Sequence, residues 1–157
     1  MNIFKQINAI LNKFLEPFEC EAYKDEDFAY YYTSNCITYT LVCSEIDNRC
    51  FMEKIHKIAP NLNCDIFLAS FFHELGHHMT IEEIDDEDLE YSKIMKKYIN
   101  EWDFTREEAN RFYMDLPDED AATRWGCQYM IEHQEEVAKL WSELKPAIMH
   151  FYIEAAA

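Results

Sequence analysis

Apolar residues at Ile3, Phe4, Ile7, Ile10, Leu11, Phe14 and Leu15 recur every three to four positions, which predicts an amphipathic helix that stops before Pro17. The next segments, 18–23, 28–33 and 36–43, are aromatic or β-branched and predict three strands. Thr33-Ser34-Asn35 lies between the last two as a hairpin turn. A short helix is expected over 52–58, ahead of Pro60. Ile66-Phe67-Leu68-Ala69-Ser70-Phe71-Phe72 is apolar nearly all round, the pattern of a buried helix, here placed over 64–79. Beyond an acidic connector at 81–90, helices are expected near 88–102, over 105–114, from Pro117 to about 133, and from there to 152. The chain has only two glycines and four prolines, so few residues interrupt helices. The expected fold is α+β and mostly helical, with a small antiparallel sheet. It forms one domain over 1–157, since no repeat or linker divides it.

The buried helix carries polar residues that need a reason to be there. His73-Glu74-Leu75-Gly76-His77 is an H-E-x-x-H pentapeptide, and on a helix its two imidazoles lie on one face a turn apart. Two neutral imidazole nitrogens at that spacing suit Zn²⁺, with Glu74 beside them as the base that takes a proton from the attacking water. The competing reading is a pair of core histidines satisfied by hydrogen bonds. A metal satisfies two histidines and a glutamate on an apolar helix at once, and that favours the metal.

A catalytic zinc usually has three protein ligands and one open position. The segment Leu116-Pro117-Asp118-Glu119-Asp120 opens a helix: proline suits the first turn and the three carboxylates favour its positive end. Glu119 falls one turn before Ala122, on the face expected to pack. By spacing alone it either serves the helix N-terminus, as its neighbours do, or reaches the imidazoles. His78, about 100° round the helix from His77, is off the coordinating face and belongs beside the site or at the surface. His133, His150 and several tyrosines are conceivable donors to a transition state. His133 lies about 21 Å from Glu119 along a straight helix, and Tyr129 reads as core.

HELGH followed by Glu119, Ala122, Thr123, Arg124, Trp125 and Gly126 resembles the gluzincin-type metallopeptidases of the ImmA/IrrE group, whose E-x-x-A-N-x-F-A helix supplies a third ligand. Thr123 stands in place of the asparagine and Gly126 in place of the alanine. HELGHH together with Leu116-Pro117-Asp118-Glu119 and Ala122-Thr123 is also similar to small zincin-like proteins of phages and prophages. The resemblance implies a minimal zincin-like core, with zinc held by His73, His77 and Glu119. It is confined to the two motif helices, and the step from His77 to Glu119 is long at 42 residues. A second segment, Glu108-Ala109-Asn110-Arg111-Phe112, carries the familiar Ala-Asn-x-Phe letters, but Arg106 stands where the ligand would be. Glu108 there reads as the partner of Thr105 in a capping box.

Charge narrows the partners. With 14 basic and 31 acidic residues the formal net charge is −17, a field that repels phosphate backbones and anionic headgroups. Direct binding of nucleic acid or membrane is therefore not expected. Cys20, Cys36, Cys43, Cys50, Cys64 and Cys127 form no C-x-x-C pair, and the opening residues are amphipathic rather than a signal-peptide core, so reduced thiols in the cytoplasm are expected. The function these readings imply is a zinc-dependent metallopeptidase acting on a protein or peptide substrate. By resemblance that substrate is a specific protein, such as a regulator of a mobile element. The alternatives are a non-catalytic binding protein on the same scaffold, such as a phage-encoded inhibitor or regulator, and a structural zinc site closed by a fourth side chain.

Overall fold

A computed structural model describes residues 2–157. Among these residues there are seven α-helices and one three-stranded sheet, in the order α1 (Ile3–Leu15), β1 (Glu21–Lys24), β2 (Ala29–Tyr31), β3 (Cys36–Tyr39), α2 (Glu45–Ile58), α3 (Ile66–Thr80), α4 (Asp86–Tyr98), α5 (Arg106–Met114), α6 (Pro117–Glu132) and α7 (Gln134–Ala156). The mostly helical α+β character is as the sequence suggests. Side-chain caps explain four of the seven helix starts. Asn2, Ser44 and Asp65 accept backbone N–H groups at the starts of α1, α2 and α3, and Thr105 and Glu108 complete a reciprocal capping box at α5. The Ser44 cap begins α2 seven residues earlier than the 52–58 expectation. The acidic connector is shorter than its composition suggests, because α4 begins within it at Asp86.

The sheet is mixed, not antiparallel. β3 lies in the middle, antiparallel to β2 and parallel to β1. The β2–β3 hairpin turns as expected through Asn35, which takes a left-handed backbone at φ 51°. The parallel pairing depends on where the chain returns after β1, a long-range matter that alternation along a strand does not encode. The two sheet edges differ. At β1 the side chain of Asn12 from α1 pairs both with the Ala22 N–H, at 2.7 Å, and with the Ala22 carbonyl, at 2.9 Å. Among the described residues the outer edge of β2 has no such side-chain cover, and it borders a cleft described below.

The core is aromatic and centred on α3. Phe71, Phe72 and Leu75 are fully buried, against Ile7, Leu11 and Leu15 of α1, Ile37 and Tyr39 of β3, and Leu140 and Leu144 of α7. Tyr39 takes its hydroxyl into the interior and donates to Asn8 Oδ1 at 2.6 Å, which removes the cost of burying it. Tyr129 packs against this core, its ring stacked with those of Phe72 and Trp125. No described helix is long and apolar enough to cross a membrane.

The opposite side of α3 meets α6, and here the two glycines of the chain find their use. A Cβ on Gly76 would stand 2.2 Å from the Ala122 carbonyl oxygen, and one on Gly126 would stand 3.0 Å from the backbone of Phe72. Glycine thus faces backbone from both directions, and the helices approach more closely than any side chain would permit. This crossing sets the distance between the H-E-x-x-H residues and the first turn of α6.

Candidate metal centre

Three side chains from α3 and α6 converge. Glu119 Oε1 lies 3.0 Å from His73 Nε2, and both Glu119 oxygens lie 3.2 Å from His77 Nε2. The ligand atoms of His73, His77 and Glu119 all fall within 4.8 Å of one another, so this group can hold a metal ion. Glu119 is only 3% exposed although it sits in the first turn of α6. Serving the helix N-terminus does not require such burial; facing the imidazoles does. The two rings stand nearly perpendicular, 4.8 Å apart, and Phe51 packs edge-on against His73.

The hydrogen bonds around His73 are informative. Thr123 Oγ1 donates back to the Glu119 carbonyl at 2.9 Å, one turn earlier, and lies 2.9 Å from His73 Nδ1. With its only proton spent on that carbonyl, the hydroxyl accepts from His73 Nδ1–H. The neutral ring then turns the bare lone pair of Nε2 toward the carboxylate of Glu119. Two acceptors 3.0 Å apart repel unless a cation, or a proton on the ring, lies between them. A divalent ion meets that demand, and orientation of the ligand histidine through its other nitrogen is the usual support for one. Thr123 was legible in the sequence only as a departure from the family pattern; the signal for its role was its position one turn after Glu119.

Electrostatics separate the two acids. Glu74, 7% exposed, has its carboxylate 3.9 Å from His73 Nε2, and burial pushes its pKa up to about 7. Burial acts on Glu119 in the same direction but, with protons rather than an ion on the facing nitrogens, is outweighed by hydrogen bonds and charge from His73 and His77, which hold it well below the usual carboxylate range. One acid is poised to take a proton and the other stays ionised. Lys96, reaching over from α4, lies 2.7 Å from Glu119 Oε2 and 2.6 Å from Asp118 Oδ2.

A cleft of about 530 Å³ opens onto His73, Glu74 and Glu119, walled by Phe28 and Ala29 at the β2 edge, by Phe51 of α2, and by Asn110 and Tyr113 of α5. Of the tyrosines that the sequence offers as conceivable donors, Tyr113 is the one on the wall of this cleft. Burial, followed by the charges of Glu119 and Glu74, raises its pKa, so the phenol keeps its proton. Its expected competitors lie elsewhere. His133 stacks on Tyr129 at 4.1 Å, and His150 pairs with Glu154 on α7. His78 faces away from the ion site: Nε2–H donates to the Phe18 carbonyl at 2.7 Å, leaving Nδ1 to accept from Tyr30 at 2.8 Å. It thereby ties the edge strand to the metal helix.

The Ala-Asn-x-Phe letters of α5 have a different use. Asn110 and Arg106 both bind Asp47 of α2, and Glu107 pairs with Arg49. Comparison with family models, with curated proteins and with solved structures gave no match.

Proposed function

We propose that the protein is a zinc-dependent metallopeptidase with a minimal zincin-like core that cleaves an extended segment of a protein substrate. The observation that carries this reading is the facing of His73 Nε2, in the tautomer set by Thr123, toward Glu119 Oε1, with His77 Nε2 beside the same carboxylate and Glu74 3.9 Å from His73 on the wall of the cleft. Two imidazoles and one carboxylate are a catalytic zinc donor set, and zinc bound there would supply Lewis acidity to a carbonyl and to water. Glu74 accepts the proton of the attacking water and delivers it to the leaving amine. Its raised pKa suits both transfers. The Tyr113 hydroxyl, protonated and on the wall of the same cleft, donates to the developing oxyanion. The outer edge of β2 supplies backbone groups that an extended peptide can pair with, which binds substrate with little dependence on its side chains.

Glu74→Gln tests the chemistry, since it keeps the shape of the site and removes the base. New protein termini appearing in a host lysate with wild type and absent with Glu74→Gln are the expected result. If Glu74→Gln keeps the biological activity in full while holding the ion, the protein acts by occupying a partner, and the peptidase reading fails.

A further inference from the structure

The two carboxylate oxygens of Glu119 share His77 as a neighbour and otherwise differ. Oε1 is the one close to His73, at 3.0 Å, while Oε2 receives the Lys96 ammonium at 2.7 Å. Lys96 is contributed by α4, a helix that holds none of the residues already placed in the site. Its ammonium also lies 5.1 Å from the centroid of the Tyr113 ring, the same ring that walls the cleft. We propose that Lys96 is a positioning residue for the metal centre: it pins Oε2 of Glu119 so that Oε1 is presented for coordination. The proposal rests on the metal-site reading above.

A cation next to a dication site raises an immediate objection, because like charges repel. Asp118 answers it. Its Oδ2 lies 2.6 Å from the same ammonium, and its Oδ1, buried, has no hydrogen-bond partner among the described residues. The Lys96–Asp118 pair is therefore close to neutral as seen from the ion, while the charge-assisted hydrogen bond to Oε2 remains. The orienting effect is kept and most of the repulsion is cancelled. Loss of Lys96 would leave Asp118 and Glu119 as neighbouring buried carboxylates without their shared counter-charge, and Glu119 free to rotate.

Affinity for Zn²⁺ alone, measured by competition with a chromophoric chelator, decides the matter with no recourse to activity. Lys96→Met should weaken binding about 10- to 100-fold, the range for losing a partner that orients a ligand. Lys96→Arg, which keeps a charged donor, should recover most of it; a role confined to packing would give no such recovery. Should Lys96→Met fail to fold, Lys96→Gln serves in its place. Zinc binding by Lys96→Met as tight as wild type or tighter overturns the proposal, because Lys96 would then be a spectator or a repulsive charge. A wild-type protein that binds no zinc sinks the metal-site reading itself, which is a separate result.

Discussion

α5 and α6 carry similar letters, but the α2–α5 and α3–α6 helix pairs are joined in opposite ways. α3 and α6 touch backbone to backbone through Gly76 and Gly126, and enclose Glu74, Glu119 and Thr123, each less than a tenth exposed. α2 and α5 are linked across the surface by ion pairs, Arg106 to Asp47, Arg49 to Glu107 and Arg111 to Glu53, with every side chain at least 40% exposed. The Ala-Asn-x-Phe sequence lies on α5, and the glutamate that reaches the histidines lies on α6. A carboxylate can serve as a ligand where two helices approach closely enough to bury it against imidazoles. At an exposed crossing the same side chain stays solvated and contributes little.

Gly76→Ala should break this contrast most severely. The new methyl meets backbone that cannot rotate away, so the helices must part. A loss of about 3 kcal/mol, the upper end for overpacking, is expected in denaturant unfolding, together with loss of metal affinity. Retained affinity would show that close approach does not assemble the site. Glu119→Ala comes next. Metal content by elemental analysis should fall by more than the about 10- to 100-fold typical of an orienting partner, and unchanged occupancy would remove Glu119 from the ligand set. Thr123→Val, similar in shape but without the hydroxyl, should fall within that range and cost about 1–3 kcal/mol, because His73 Nδ1–H is left buried without an acceptor.

Asp47→Asn sharpens the contrast from the other side. It removes the charge under Arg106 at an exposed crossing, so stability should drop by at most about 1 kcal/mol, less at high salt, with metal affinity unchanged. Acid should act on the same contact. The Arg106 hydrogen bond, assisted by Asn110, lowers the pKa of Asp47, so its contribution is present above the ordinary aspartate range and fades as pH falls through the depressed value. Wild type should lose this increment on acidification and Asp47→Asn should not, a difference that thermal melts at several pH values will register.

The sequence by itself determined the helices, since their three-to-four residue periodicity and their caps are local, and it determined the chemistry of the motif, since two histidines and a glutamate on an apolar helix require a partner. It marked Glu119 as a residue with two possible roles, a choice that spacing left open and only the resemblance leaned on. Tertiary structure alone decided the parallel pairing of β1 with β3, the uncovered edge of β2, and the meeting of Lys96 and Tyr113 with Glu119. The physical reason is that these are contacts between segments far apart in the chain. Periodicity tells which face of an element is buried, but the partner of that face is set by how closely two backbones can pack, and here by two glycines.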